Sequence, residues 1–476
     1  MAQHPNLIGG EWRTGESFPN INPSNLNDVI GEYARATIAD CRDAITAARG
    51  AAKDWGLTPP QVRADLLYKV SAAIEAESAR LADLLAREEG KTLREASGEV
   101  VRAMNIFRFY AGEALRGPGE RYDSSRPGIE IQVTREPVGV VGLITPWNFP
   151  IGIPAWKIAP ALAWGNTVVF KPADLVPGCA WELARIIHEA GIPPGVFNLV
   201  MGRGTDVGAE IIHNPGVDAV SFTGSVETGA KVLQGAALRG AKVQMEMGGK
   251  NPLVVLADAD IDRAVQVALD GAYFGTGQRC TASSRLIIED AIHDKFVTCL
   301  IEALSAQIVD DARKPGTTIG PVVDERQFEQ DLRYIEIGRG EAHLAWGGQP
   351  LKRATRGFFL QPALFTEARN DMVIAKEEIF GPIAAVIRVK DYDEALAVAN
   401  DTRFGLSAGI CTTSLKYAQH FRRHANAGMV MVNCPTAGVD YHTAFGGRKA
   451  SSYGSREQGP YAVEFYTTVK TAYQAM

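Results

Sequence analysis

Two residues in glycine-rich settings could do covalent chemistry. Glu246 opens the run Glu246-Met247-Gly248-Gly249-Lys250, and Cys280 closes the run Phe274-Gly275-Thr276-Gly277-Gln278-Arg279-Cys280. A substrate can come close to a cysteine flanked by glycines, whose backbone N–H groups can crowd a reacting oxygen. A carboxylate that reaches the same point could activate water against a covalent intermediate. Taken singly, each residue has a plainer use: a small buried apolar side chain for Cys280, a surface charge for Glu246.

The surrounding elements must bring these two runs together. Residues 6–33 read as short strands and turns, with a hairpin at Ile8-Gly9-Gly10-Glu11-Trp12. Apolar residues at three- and four-residue spacing predict helices over 38–115, broken at Gly90, the last spanning 93–115. From 138 the chain alternates. Strands are expected at 138–144, 167–170, 197–200 and 219–222, with helices at 158–162, 179–190, 206–213 and from Ser225 to about 238. That repetition calls for an α/β fold with a parallel sheet covered on both faces, and ligands bind outside the carboxyl ends of such strands. Trp147-Asn148, Lys171 and Thr223-Gly224-Ser225 all follow strands, at that edge. A second α/β block begins after Asn251, with strands at 252–256 and 284–288 around a helix at 261–274. The expected division is 1–117 with 138–249 as one domain, 250–448 as a second, and 118–137 with 449–476 as an arm and C-terminal segment. The arm rests on alternating strands at 129–134 and 465–471; an exposed alternating strand is an edge ready to pair with another chain, or a hairpin within this one.

Composition narrows the function. The chain has 476 residues, enough for two or three domains with large cores. Its net charge of −6, from 49 Lys+Arg against 55 Asp+Glu, gives no electrostatic case for a nucleic-acid or acidic-membrane partner. No apolar run approaches the roughly 18 residues of a membrane helix. The start, Met1-Ala2-Gln3-His4-Pro5-Asn6, lacks a basic region followed by an apolar core, so no secretory signal is expected. Six cysteines are scattered without a C-x-x-C pair, which suits a reducing cytoplasm. Eight histidines form no zinc-binding pattern, so no metal is expected. The runs Gly202–Gly208 and Gly224–Gly229 are not the G-x-G-x-x-G fingerprint, so spacing alone supports a dinucleotide only weakly.

Glu246-Met247-Gly248-Gly249-Lys250 paired with Gly277-Gln278-Arg279-Cys280 resembles the signature of the NAD(P)-dependent aldehyde dehydrogenase superfamily. Further matches follow in order: Thr145-Pro146-Trp147-Asn148-Phe149-Pro150, Phe170-Lys171-Pro172-Ala173-Asp174, Phe222-Thr223-Gly224-Ser225, Glu377-Glu378-Ile379-Phe380-Gly381-Pro382 and Phe445-Gly446-Gly447. The resemblance implies a Rossmann-type cofactor domain, a second α/β catalytic domain and a β-strand oligomerisation arm, assembled as a dimer or tetramer. It implies Cys280 as nucleophile, Glu246 as general base, the Asn148 amide with the Cys280 N–H as oxyanion donors, and Lys157 and Glu457 as a proton relay. For the cofactor it implies Ser225 at the pyrophosphate, with Thr223 and Gly224 beside it. Lys171 would meet the adenosine ribose, Gly204 and Gly208 would flank the adenine end, and Ile144 and Trp147 would line the site. Glu378 would bind the nicotinamide ribose, with Phe380 near the ring. Asp174, close to the ribose, favours NAD over NADP by repelling a 2′-phosphate, though Asp is a methylene shorter than the Glu often found there.

The substrate is expected to be a small aldehyde. Phe149, Trp156 and Phe445 match the walls of the family's substrate tunnel. Arg279 stands beside the nucleophile, and Arg102 lies on a helix that lines the tunnel. A guanidinium there would pair with a substrate carboxylate; pointing away, either arginine would be structural. Gly277-Gln278-Arg279-Cys280-Thr281-Ala282 with Pro435-Thr436-Ala437-Gly438-Val439 resembles the branch that oxidises α-ketoglutaric semialdehyde (2,5-dioxopentanoate) to 2-oxoglutarate. Succinic semialdehyde or a general aldehyde is the alternative. A CoA-acylating enzyme fits less well, because those relatives lack the glutamate found at Glu246, and a non-catalytic structural protein would not need Cys280, Glu246, Asn148 and Glu378 together. Ala444, where the family places Pro, is expected to loosen the loop before Phe445.

Overall fold

The computed structural model describes residues 3–117 and 119–475. Met1 and Ala2, at the start read for a secretory signal, Pro118, at the expected start of the arm, and Met476 lie outside the described residues. Two parallel sheets organise the chain. The first has eight strands in the order Ser452–Tyr453, Lys242–Glu246, Ala219–Thr223, Val140–Ile144, Thr167–Lys171, Phe197–Leu199, Asn6–Ile8, Glu11–Arg13. The strands from Lys242–Glu246 to Phe197–Leu199 run parallel, and antiparallel strands close both ends. The strand order reverses between Val140–Ile144 and Ala219–Thr223, where Ile144 pairs with Phe222. In an open α/β sheet that reversal opens a crevice at the carboxyl ends, and here Pro146-Trp147-Asn148 and Thr223-Gly224-Ser225 border it.

The second sheet has seven strands, His343–Gly347, Ala363–Ala368, Ile383–Val389, Arg285–Glu289, Pro252–Val255, Ser407–Cys411 and Met429–Val432, parallel except for the first. Strands such as Val140–Ile144 and Pro252–Val255 are apolar and almost wholly buried, because helices cover both faces. A small apolar cluster of Leu406, Met429 and Phe445 packs beside Cys280.

The helices are set by their ends. Leu93–Ala114 begins in a capping box, with Thr92 and Glu95 each accepting the other's backbone N–H. Ser225 caps Val226–Ala237, its hydroxyl accepting from the Thr228 N–H at 3.2 Å. The helix expected at 158–162 starts earlier, as Gly152–Ala163. Its first amides have no cap from their own segment; Glu99 accepts from Ile151 and Gly152 N–H at 3.1 and 3.0 Å instead. The helix expected at 206–213 opens as a wider π turn, Gly204–Gly208, before Ala209–His213. The strand expected at 465–471 is also corrected. Val463–Tyr466 is a helical turn that buries Phe465 and Tyr466 in the first core, and the strand is Thr467–Ala475. It pairs with Ile129–Pro137, which pairs with Gly119–Asp123, in an exposed three-stranded sheet. The 449–476 segment therefore divides: Ser452–Tyr453 joins the first sheet, and only the last strand joins the arm.

Candidate active site

Cys280 sits on a turn that few sequences could form. Gly275, Thr276 and Gly277 have φ of 59°, 54° and 68°, three consecutive left-handed residues. Thr276 carries that strain with its hydroxyl bonded to Gly320 O at 3.2 Å. A Cβ on Gly277 would stand 2.2 Å from Gly381 O. The Asn251 amide donates to Cys280 O at 2.7 Å and Ala282 O at 2.9 Å, fixing the chain after the thiol. A Cβ on Gly249 would strike Cys280 O, and one on Gly248 would strike the Glu378 carboxylate, so both glycines of the Glu246 run are required by close approach.

Burial, then the charges of Glu378 and Glu246, push the Cys280 thiol up to about 12. At neutral pH it is protonated and needs a base as it attacks. Glu246 is buried at the end of the Lys242–Glu246 strand, so it closes a strand rather than opening the glycine turn that follows it. Its carboxylate accepts from the Ser452 hydroxyl at 2.5 Å. Burial and then the neighbouring Glu457 raise it well above the ordinary carboxylate range. Glu457 in turn pairs with Lys157 in full burial, and Lys157 donates to Ser221 Oγ at 2.7 Å, which donates to Gln244 at 3.0 Å. Ser452, Ser221 and Gln244 escaped the sequence reading, since a lone serine or glutamine carries no pattern.

The Asn148 amide donates one hydrogen to Gln278 O at 3.0 Å, leaving its second N–H for another acceptor. Its oxygen has no partner. Glu378 accepts from Gly249 N–H at 2.9 Å, and burial raises it to about 7. Phe380, at φ 66°, meets Trp147 edge-on at 5.3 Å. Cys280, Asn148, Trp147, Glu378, Phe380 and the Thr223-Gly224-Ser225 turn share one cleft of about 550 Å³. Asp324, Arg326, Gln327 and Gln330, around the start of the Glu325–Glu341 helix, close its far wall; nothing in their spacing marked them. Farther out, Lys171 is buried, donating to Pro172 O at 2.6 Å and lying 3.4 Å from Asp174. Gly208 passes under it, the space for a Cβ 3.8 Å from Lys171 Cδ, and Gly204 opens the π turn with nothing within 4 Å. Ile144 ends its strand opposite Lys171.

The two arginines part company. Arg279 is 5% exposed and turns away from the thiol, donating to Asp270 O at 2.8 Å and Gly271 O at 2.9 Å, at the end of the Ile261–Tyr273 helix. Its expected place against the substrate is therefore corrected: the sequence showed it beside the nucleophile, but successive side chains on this turn face different ways. Arg102 lies over the Trp156 ring at 5.7 Å and donates to Val439 O and to Gln458 at 2.8 Å. Trp156 meets Phe445 at 5.4 Å. Phe149 lies under the Lys91 ammonium at 3.8 Å. Ala444 does not set Phe445 adrift: its N–H and carbonyl bond Glu457 at 2.7 and 2.9 Å.

A thiol and an amide with a spare donor at a cleft made by a strand-order reversal, with a buried carboxyl group close behind, are the parts of an enzyme that works through an acyl-cysteine. The chain belongs to the aldehyde dehydrogenase family, whose sequence profile matches residues 12–472. It is 42% identical to the alpha-ketoglutaric semialdehyde dehydrogenase of Bacillus subtilis (strain 168), over 98% of this chain and 97% of that one. It is 41% identical to the 2,5-dioxopentanoate dehydrogenase of Saccharolobus solfataricus, over 97% of each. Among solved structures, betaine aldehyde dehydrogenase from Staphylococcus aureus in complex with NAD+ superposes with a TM-score of 0.97 at 33% identity, covering 99% of this chain and 95% of that chain.

Proposed function

We propose that this chain oxidises α-ketoglutaric semialdehyde (2,5-dioxopentanoate) to 2-oxoglutarate, with NAD+ as acceptor. The observation that carries the reading is that Cys280 and the spare Asn148 N–H share one cleft, with the Ser452-held Glu246 buried behind its Met247-Gly248 wall and close enough for its charge to act on the thiol. Cys280 Sγ bonds the aldehyde carbon as its proton leaves to Glu246. The carbonyl oxygen becomes an oxyanion held by the Asn148 Nδ2–H and the Cys280 backbone N–H. When bound, NAD+ supplies the acceptor for the hydride that leaves this carbon. The thioester left on Cys280 is attacked by water, whose proton Glu246 takes; the C–S bond breaks and that proton returns to the leaving sulfur, releasing the acid and the thiol. Lys157 and Glu457 pass the proton onward from Glu246.

The residues fit the nucleotide. Thr223 Oγ1 is buried without a partner beside the cleft, and Ser225 starts a helix whose N-terminal amides suit a pyrophosphate. Lys171 with Gly204 and Gly208 takes the adenosine end, Glu378 the second ribose, and Asp174 disfavours the 2′-phosphate of NADP. Arg102, lying over Trp156, takes the substrate carboxylate, and Phe149 and Phe445 line the way in. The arm strands, with free edges among the described residues, serve at least a dimer, and free cysteines throughout the described residues suit the cytoplasm.

The test is initial NAD+ and NADP+ reduction with α-ketoglutaric semialdehyde, succinic semialdehyde, glutaraldehyde, propanal and benzaldehyde. The acidic semialdehydes are expected to lead in kcat/KM by about tenfold, ~1.4 kcal/mol of transition-state discrimination. Equal rates with propanal would overturn the carboxylate pocket.

A further inference from the structure

Beneath the oxyanion turn lies a buried charge pair to which the mechanism above assigns no task. Lys91 Nζ is 2.8 Å from Glu99 Oε2 and, more loosely, 3.7 Å from Glu89 Oε1, with all three side chains almost wholly shielded from solvent. The ammonium also donates to the backbone carbonyl of Asn148 and lies over the Phe149 ring. The other Glu99 oxygen accepts from the N–H groups of Ile151 and Gly152. One ion pair therefore grips the turn on both sides of Asn148-Phe149-Pro150. Four residues earlier on the same helix, Glu95 accepts from Gly275 N–H at 2.6 Å, the first left-handed residue of the nucleophile turn. Positions 95 and 99 share a helix face, so one face of the Leu93–Ala114 helix holds the oxyanion donor and the nucleophile loop in register.

A buried ion pair is a costly way to hold a turn; an apolar pair of the same volume is often as stable or more so. What it supplies here is aim. The Asn148 side chain has one contact of its own, to Gln278 O, and an oxygen with no partner. Its spare N–H therefore points wherever the backbone of the turn directs it.

We propose that Lys91 and Glu99 are positioning residues for the oxyanion step, aiming the Asn148 amide at the reacting carbonyl oxygen. The inference rests on the aldehyde-oxidising reading above. Lys91→Met alone leaves Glu89 and Glu99 buried without a counter-charge and is expected to fold poorly. The informative variant is Glu89→Gln/Lys91→Met/Glu99→Gln, which removes all three buried charges and keeps an amide oxygen for the Ile151 and Gly152 N–H groups.

Single-turnover cofactor reduction is measured with the best aldehyde of the panel, beside NAD+ binding, iodoacetamide alkylation of Cys280 and the melting temperature. The triple variant is expected to lose about 10- to 100-fold in the single-turnover rate, part of what losing an oxyanion donor costs. NAD+ affinity and alkylation, which involve no oxyanion, should stay within about twofold of the parent. A single-turnover rate within about twofold of the parent would overturn the proposal. So would alkylation and NAD+ binding falling in step with the rate, which is what a loosened structure gives. A parent that oxidises no aldehyde would instead overturn the functional reading itself.

Discussion

The two sides of Cys280 are built by different means. On the side proposed for the cofactor, the cleft is made where parallel strands end, from short consecutive runs: Pro146-Trp147-Asn148, Thr223-Gly224-Ser225, Met247-Gly248. Glycines press the backbone close, and Glu378 is held by a main-chain N–H. On the side proposed for the substrate, single side chains from distant segments do the work. Arg102 comes from one helix, Trp156 from another, and Phe445, Val439 and Gln458 from the loops after Met429–Val432. A wall of backbone tolerates little change and serves any substrate, whereas a wall of side chains can be altered one residue at a time. The first side should therefore govern whether chemistry occurs, and the second which aldehyde enters.

Glu246→Gln should break the chemistry while leaving both walls standing. The steady-state rate is expected to fall by about 10²–10³, the range for a lost general base. One equivalent of cofactor per active site should still be reduced in the first turnover, if more slowly, because acylation precedes the attack of water. The parent's pH profile follows from the burial of Glu246 and the nearness of Glu457, which raise its carboxyl. Only the deprotonated form takes a proton from water, so steady-state turnover should climb with pH well above the ordinary carboxylate range. Stopped-flow traces across pH check this: a variant that keeps both the alkaline climb and the steady-state rate would remove Glu246 from the role.

The same division governed what could be read from the sequence. The α/β alternation, the strand-end position of Trp147-Asn148, Lys171 and Thr223-Gly224-Ser225, and the helix break at Gly90 are local: periodicity and glycine write them into consecutive residues. Helix starts were less legible where the cap comes from elsewhere, as Glu99 does for Gly152–Ala163. Phe465-Tyr466 shows the limit of pattern, since two aromatics before a strand read as strand yet sit in a helical turn packed on the first core. Side-chain direction was invisible. Arg279 is adjacent to the nucleophile in sequence and aimed elsewhere in space, while Arg102 is remote in sequence and stands over Trp156. Partners such as Ser452 for Glu246 come together only when the chain returns some two hundred residues later.

Arg102→Met should sharpen the contrast between the walls. It keeps a long apolar side chain over Trp156 and removes the guanidinium. The kcat/KM for α-ketoglutaric semialdehyde is expected to fall by about 10- to 100-fold, the worth of a charge-assisted hydrogen bond or two, ~1.5–3 kcal/mol. With propanal, which has no carboxylate to anchor, the change should stay within about threefold. A parallel fall for both aldehydes would mean that Arg102 only braces the loop through Val439 and Gln458.

Arg279→Met is the counterpart with the smallest effect on specificity. Asp270 O lies in the last turn of the Ile261–Tyr273 helix, where carbonyls lack partners within the helix. Arg279 satisfies it, along with Gly271 O, which also accepts from Ser283 N–H. A methionine there takes away the donor to the Asp270 carbonyl, but Asp270 is exposed and water can replace it, so the cost is that of an ordinary hydrogen bond, about 0.5–1.5 kcal/mol. It also relieves the burial of a guanidinium, which burial pushes down to about 10. The two effects oppose, so the net loss of stability by thermal or urea melting should fall toward the lower end of that range. The ratio of kcat/KM for α-ketoglutaric semialdehyde to that for propanal should stay within about twofold of the parent, because Arg279 is anchored through Nη2 to the helix-end carbonyls of Asp270 and Gly271. If that ratio collapsed as it should in Arg102→Met, the turn from Gly275 to Cys280 would have to rearrange when substrate enters, and the guanidinium would leave the helix end to meet the carboxylate.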